Sequence, residues 1–396
     1  MSRITGVSQS GIYTDLMRKF RDEGHSVFIV SPNERSLGGS TELLKVDGVH
    51  LLKVRTLNLQ KTNVVEKGLG QVMIENQYKR AINVYFKDIQ FDLILYTTPP
   101  ITFPKVIAFL KKRNSHAITY LLLKDIFPQN AIDIGLMSKT GLKGIIYNYF
   151  RNKEKKLYML SDYIGCMSPA NVDYVLSHNS FLKRDIVEIA PNSLEFIENS
   201  IISRDDIRRK YNLPVNTTIF IYGGNLGKPQ GIPFIIECLQ AITNRKDCHF
   251  LIVGSGTELP RLKTWVKDNK PQNVTVMDGL PKGEYIPLVQ SCDVGLIFLD
   301  HRFTIPNYPS RLLSYLSNRM PILCATDINS DIGRIAEENG YGYWCESSNV
   351  DCFVDLVDKI LRSDLKTMGR LGYEFFLKNY QVEHTYKAIV KHIHHE

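Results

Sequence analysis

Three segments in the second half of the chain hold residue types that could grip a phosphate. Gly223-Gly224-Asn225-Leu226-Gly227-Lys228-Pro229-Gln230-Gly231 follows the apolar run 219–222, and Gly254-Ser255-Gly256 follows 250–253. Asn307-Tyr308-Pro309-Ser310-Arg311-Leu312 opens a helical run. Glycine lets backbone N–H groups approach an anion closely, and a helix start adds unpaired N–H groups and the positive end of the dipole. Each loop alone is ordinary turn chemistry. Their recurrence on the carboxyl edge of one parallel sheet points to a nucleotide diphosphate. Gly224, Asn225, Gly231, Gly254, Ser255 and Gly256 are the backbone candidates. Lys228, Ser310 and Arg311 are the side-chain ones, each with the bland alternative of a solvated surface group. Neither G-x-G-x-x-G nor G-x-x-x-x-G-K-[ST] occurs, which argues against a dehydrogenase and an NTPase.

One carboxylate stands out in the first half. Asp125 follows the apolar run 117–123 and precedes Ile126-Phe127-Pro128. It could orient or deprotonate an acceptor hydroxyl, or simply cap a helix. His25 reads as packing behind the first helix, and His392, His394 and His395 as a frayed tail. No carboxylate cluster calls for a metal. Residues 139–156 carry six basic residues against one acid, Glu154, interleaved with Leu142, Ile145, Ile146, Tyr147, Tyr149 and Phe150. Such a stretch either lies on anionic lipid or packs on the sheet, and the apolar residues favour packing slightly. Nucleic-acid binding has no recognisable module here.

The elements that must position these groups repeat as apolar strands alternating with helices, the mark of parallel β-α units. In the first half, strands are expected over 26–30 (ending at Ser31-Pro32), 49–54, 93–96, 117–123, 163–166 and 186–189. Helices are expected from Ile12 to Phe20, over 71–87 and over 105–113. In the second half, strands are expected over 219–222, 250–253, 274–277, 294–299 and 321–324. The helices there fall over 233–243, 260–268, 286–292, 311–317, 332–339 and 352–361. The spacing gives an α/β chain of two Rossmann-like domains, 1–191 and 210–396, joined by a polar linker over 192–209, with the last helix free to pack back on the first domain. A chain of 396 residues with 43% hydrophobic and 23% charged residues is globular in composition and long enough for two cores. Seven scattered cysteines suit reduced thiols. With no signal-peptide core and no apolar run of spanning length, a cytoplasmic protein is expected. The net charge of +8 is mostly ordinary surface charge.

The glycine loops, with Ala190-Pro191-Asn192, Asp278-Gly279, Ser291-Cys292-Asp293-Val294-Gly295-Leu296 and Tyr308-Pro309-Ser310-Arg311-Leu312-Leu313-Ser314, resemble the C-terminal domain of retaining glycosyltransferases of family 4. Arg21-Asp22-Glu23-Gly24-His25-Ser26-Val27 is similar to that family's early segment. Leu122-Leu123-Lys124-Asp125-Ile126-Phe127-Pro128-Gln129 resembles the O-antigen and capsule branch that transfers N-acetylfucosamine-like sugars. The resemblance implies a GT-B fold, two facing Rossmann-like domains with a cleft between them. It implies glycosyl transfer with retention from a nucleotide-diphosphate sugar, a UDP-sugar first, without a cofactor or metal. The acceptor would be a lipid-linked saccharide at the inner membrane face. It adds Gly11, Tyr308, Pro309, Leu312 and Ser314 to the donor site and favours Asp125 as the catalytic carboxylate.

Three departures from the family pattern follow. The usual first strand is missing before the loop-like residues 2–10, which suggests a start codon placed too late. The Glu-x7-Glu pair falls on Pro306 and Ser314, leaving a hydroxyl for the ribose. Asn225 stands where a cation is expected, so Lys228 is the nearest one. A nucleotide-sugar epimerase of the same fold and a non-catalytic binding subunit are the alternatives.

Overall fold

The computed structural model describes residues 4–58, 64–196, 203–243 and 245–393. The chain divides into two compact units, Met1–Glu195 with Gln381–Glu396, and Phe196–Tyr380.

Unit 1 begins with α1 (Ile12–Asp22), which buries Leu16 and Phe20 and ends before Gly24 at φ 88°. Strand β1 (Phe28–Glu34) runs through Ser31-Pro32 instead of stopping there. Its only partner among the described residues is β3, so it is an edge strand, where the missing proline N–H is tolerated. A hairpin follows, β2 (Glu42–Val46) and β3 (Val49–Thr56), closed by Asp47-Gly48 with both residues at positive φ. The remaining elements are α2 (Val64–Tyr85), β4 (Leu93–Thr98), α3 (Pro104–Arg113), β5 (Ile118–Leu123), α4 (Gln129–Asp133), α5 (Gly141–Leu160), β6 (Tyr163–Cys166), α6 (Pro169–Ser177) and β7 (Val187–Ile189).

These strands form two sheets, β1-β3-β2 and β4-β5-β6-β7, the second wholly parallel. Among the described residues no strand joins β1 to β4. The two sheets share one core, in which Leu16, Phe20, Ile29 and Leu51 meet Tyr120 and Leu122. Residues 4–10 form no strand. The Val7 and Ser8 N–H groups donate to Asp47 Oδ2 at 2.9 and 3.0 Å, tying that segment to the hairpin turn.

Unit 2 comprises α7 (Arg204–Lys210), β8 (Thr218–Asn225), α8 (Ile232–Ala241), β9 (Cys248–Ser255), α9 (Leu259–Asn269), β10 (Val274–Asp278), α10 (Lys282–Gln290), β11 (Val294–Phe298), α11 (Arg311–Ser317), β12 (Ile322–Thr326), α12 (Ile332–Glu338), β13 (Gly342–Glu346), α13 (Val350–Leu361) and α14 (Leu365–Asn379). Six parallel strands pair in the order β10-β9-β8-β11-β12-β13. Helices cover the sheet, so its strands are apolar on both faces; Phe220, Phe250, Leu296, Phe298 and Phe353 share its core.

The linker is shorter than the spacing suggests. Helix α7 takes up the last third of 192–209, with the Ser203 hydroxyl accepting the Asp206 N–H. Arg208 is buried and donates to Asp293 Oδ2 at 2.6 Å, which fastens α7 to the base of β11. Residues 197–202 lie outside the described residues. Helix α15 (Val382–Val390) belongs to unit 1, where it packs on α1.

His25 sits behind α1 as expected, its Nε2 2.9 Å from Tyr386 Oη and its ring edge-on to Phe20. His392 is no frayed residue: its ring stacks on Tyr163 at 3.5 Å and its Nε2 lies 3.0 Å from Glu188 Oε1. His394 and His395 fall outside the described residues. All seven cysteines are free thiols. No helix is long and apolar enough to cross a membrane among the described residues.

Candidate functional site

The glycines of unit 2 gather at the carboxyl ends of β8 and β9, which stay paired as far as Asn225 opposite Ser255. Much of their chemistry is packing. A Cβ on Gly254 would sit 1.9 Å from the Gly224 carbonyl oxygen, and one on Gly256 would sit 2.2 Å from that of Leu226. The backbone crosses too closely for any side chain. Gly231, at φ 62°, begins α8 in the left-handed conformation. The turn between is braced internally: Asn225 Nδ2 and the Gly227 N–H both donate to Gln230 Oε1, at 2.8 and 3.1 Å. Asn225 therefore holds the loop as well as lining it. Gly224, Asn225, Ser255 and Gly256 are exposed on this edge, and Lys228 projects from the turn into solvent.

Arg311 is the cation that the fold places against these glycines. Its guanidinium carbon lies 4.1 Å from the centre of the Tyr222 ring, and its Nη2 is 3.5 Å from where a Gly224 Cβ would stand. No carboxylate pairs with it among the described residues, and its Nη1 is buried without a hydrogen-bond partner. A guanidinium held against glycine backbone with donor capacity left over is fitted to receive an anion. Ser310 beside it is exposed and makes no capping bond, so its hydroxyl is also available. Ser314, one turn along α11, is half-buried.

Two side chains expected in the donor site are withdrawn from the surface. Leu312 is fully buried in the core under α11. Tyr308 turns inward and bonds through its hydroxyl to Tyr380. Gly11 is likewise committed: its N–H donates to Asp15 Oδ1 at 2.8 Å and its carbonyl accepts from the Asp15 N–H. Asp15 is a buried knot that also accepts from Arg18 and the Glu195 N–H. The Gly11 amide has no proton left for a phosphate.

In unit 1, Asp125 stands just past the carboxyl end of β5. It does not cap a helix: α4 starts at Gln129, with Pro128 at its N-cap. The Asp125 carboxylate instead accepts from Asn130 Nδ2 at 2.8 Å and from the Ile126 N–H. Burial pushes its pKa up to about 6, the two hydrogen bonds holding back a larger rise. Asp125 keeps partial exposure even so. A carboxyl poised near neutrality, with lone pairs to spare, suits proton acceptance.

Its neighbours come from distant parts of the chain. Thr98 at the end of β4 donates to the Asp125 carbonyl at 3.1 Å, and Tyr13 on α1 lies 3.3 Å from Thr97 Oγ1 with the Asp125 charge in reach. Lys124 donates to the Ala190 carbonyl at 3.0 Å, and burial lowers its pKa to about 7. Tyr13, Thr97, Thr98 and Asn130 carry no motif, so sequence reasoning missed them. The one available signal was the strand ends themselves, where parallel sheets keep their sites.

Residues 203–374 match the family model described as Glycosyl transferases group 1. The chain is 23% identical over 331 residues to a probable glycosyltransferase, WbjE, of Pseudomonas aeruginosa, covering 81% of this chain and 78% of that protein. Among solved structures it resembles a sucrose-phosphate synthase from Thermosynechococcus elongatus, with a TM-score of 0.73 at 14% identity over 96% of this chain and 91% of that one. It also resembles WaaG, a glycosyltransferase involved in lipopolysaccharide biosynthesis, with a TM-score of 0.64 at 12% identity over 97% and 95%. The structural likenesses establish a GT-B fold, and the match to the group 1 glycosyl transferase model lies within unit 2.

Proposed function

We propose that the protein moves a glycosyl group, with retention, from a nucleotide-diphosphate sugar to a hydroxyl of a saccharide acceptor. The observation that carries this reading is Arg311, a guanidinium with no carboxylate partner among the described residues, held between the Tyr222 ring and Gly224 in a unit that matches the group 1 glycosyl transferase model. In the reaction the bond from the anomeric carbon to the diphosphate oxygen breaks, and the acceptor oxygen bonds to that carbon. The negative charge that builds on the departing diphosphate is met by Arg311, Lys228, the Ser310 hydroxyl and the exposed backbone of Gly224 and Ser255. Fixed donors of this kind stabilise the leaving group electrostatically, with no metal in the scheme. Asp125 orients the acceptor hydroxyl and takes its proton.

The likeness to WaaG, a glycosyltransferase involved in lipopolysaccharide biosynthesis, and the sequence around Asp125 favour surface-polysaccharide assembly. The donor we favour is a UDP-sugar, with an N-acetylated amino or deoxyamino sugar as the group moved and a lipid-linked saccharide as acceptor. A thermal-shift panel of nucleotides and nucleotide sugars is the first test. Nucleoside diphosphates and one diphosphate sugar should raise the melting temperature, and monophosphates should do less. No shift with any diphosphate would sink the reading. With the donor in hand, sugar appearing on an acceptor separates transfer from epimerisation, which needs no acceptor. Slow donor hydrolysis by the protein alone rules out a silent binding subunit.

A further inference from the structure

Helix α5 has two unlike faces. Gly144, Glu154, Leu157 and Tyr158 are buried against unit 1, with Glu154 paired to Arg151 and accepting from Tyr158 Oη at 2.8 Å. On the other face Leu142 is 83% exposed, Ile145 67%, Ile146 51% and Tyr149 41%. Their spacing of i, i+3, i+4 and i+7 makes one continuous apolar stripe along the first two turns. Leu136, just before the helix, is 52% exposed as well. The sequence favoured packing for these residues. The structure turns them outward, into the arrangement that costs most in water.

The rim of the stripe is basic. Lys139, Lys143 and Lys156 are exposed and enter no ion pair among the described residues, while Lys153 leans over the Tyr149 ring at 5.8 Å but is already paired with Glu75 at 2.8 Å. The one acid of the helix, Glu154, is on the buried side. An apolar stripe bordered by unpaired lysines suits a flat anionic surface: the stripe sinks among acyl chains and the lysines reach back to the headgroups.

We infer that the exposed face of α5, with Leu142, Ile145, Ile146 and Tyr149 at its centre and Lys139, Lys143 and Lys156 at its edge, docks the protein on an anionic lipid bilayer. The inference goes beyond the transfer reaction and does not depend on it, since binding to bare vesicles requires neither donor nor acceptor.

Flotation of the full chain with vesicles of phosphatidylcholine and phosphatidylglycerol tests it, with pure phosphatidylcholine vesicles as the comparison. Wild type should float with the anionic vesicles and release in high salt. Leu142→Ser with Ile145→Ser should lower the partition coefficient at least about tenfold, the scale of removing two apolar side chains from the interface. Lys139→Gln, Lys143→Gln and Lys156→Gln together should lower it roughly tenfold or more for anionic vesicles and little for neutral ones. Val84→Ser, at a 65% exposed position on α2, should change nothing. Near-ultraviolet circular dichroism confirms that each variant is folded. The inference is overturned if wild type does not float, or if the Leu142/Ile145 variant floats as well as wild type. It is also overturned if wild type ignores vesicles and elutes as a dimer that the same variant dissociates, which would give the face to a second copy of the chain.

Discussion

Asp125 in unit 1 and Asp327 in unit 2 make an instructive pair. Each follows an apolar parallel strand, β5 or β12, and burial raises the pKa of each to about 6. Their commitments differ. Asp327 has no solvent exposure and accepts from the Asn329 N–H, the Ser330 N–H and the Ser330 hydroxyl, at 2.9, 2.8 and 2.9 Å. Ser330 Oγ in turn accepts the Asn307 N–H at 2.8 Å, so Asp327 braces the segment that leads to Pro309 and Arg311. Asp125 accepts from two groups, one of them its neighbour's backbone, and remains partly open to solvent. A raised carboxyl pKa therefore reports burial. Access and unused acceptor capacity decide whether the group can act on a substrate.

The sharpest way to break this contrast is Asp125→Asn. The amide keeps the size and its oxygen can still accept from Asn130, so the protein should stay folded. Acceptor-dependent turnover should fall roughly a hundredfold or more, the usual scale for general acid–base help. Donor affinity should be unchanged, because the donor groups belong to unit 2. Near-normal transfer would return Asp125 to a structural role.

Arg311→Ala comes next. Losing a charge-assisted phosphate contact should cost about 1.5 to 3 kcal/mol, which is roughly tenfold or more in nucleotide-diphosphate affinity. Arg261→Ala, at an exposed position on α9, should leave affinity intact. Calorimetry that finds the two variants equal removes Arg311 from the site.

Asp327→Asn should show the reverse of the Asp125 pattern. Its three donors need a carboxylate, and an amide nitrogen would face one of them, leaving a buried polar group unsatisfied. A loss of about 1 to 2 kcal/mol in urea unfolding is expected. Turnover per folded molecule at saturating donor should stay within a few-fold of wild type, since the group does not touch substrate.

Much of the fold was legible because buried parallel strands read as apolar runs: 163–166 and 311–317 coincide with β6 and α11. The elements that went unread had weaker patterns. β2 is a half-exposed strand carrying Glu42 and Lys45, although the Asp47-Gly48 turn was a usable hairpin signal. Helix α7 hid in a polar stretch because its stability comes from Arg208 binding Asp293, a contact 85 residues away in the chain.

The site divides in the same manner. Asp125 was legible from residue type next to a strand end, and Arg311 from its place at the start of a helix. The convergence of Tyr13, Thr97 and Asn130 near Asp125 was not, because tertiary packing alone brings them together. Glycine loops were legible as close approaches, yet at Gly254 and Gly256 the approaching group is the protein's own backbone. Spacing cannot distinguish a phosphate from a neighbouring carbonyl.

The smallest expected effect concerns pH and tests the origin of the two shifts. Each carboxyl has a folded pKa of about 6 against an ordinary value of 3.8. Between those values the folded state holds more protons than the unfolded state, so each group's contribution to stability is greatest below about pH 4 and is lost as pH rises through about 6. Replacing either aspartate by asparagine removes its share of that loss. Asp125→Asn should therefore gain stability relative to wild type as pH goes from about 4.5 to about 7, by on the order of 1 kcal/mol once partial exposure is allowed for. Asp327→Asn should gain by a similar or larger amount from its lower starting point. Wild-type transfer, which needs the Asp125 carboxylate, should rise through pH about 6 and then level off. A transfer rate that is flat across this range, together with pH-independent stability differences for Asp125→Asn, would mean that this carboxyl ionises like an exposed one and has no special poise as a base.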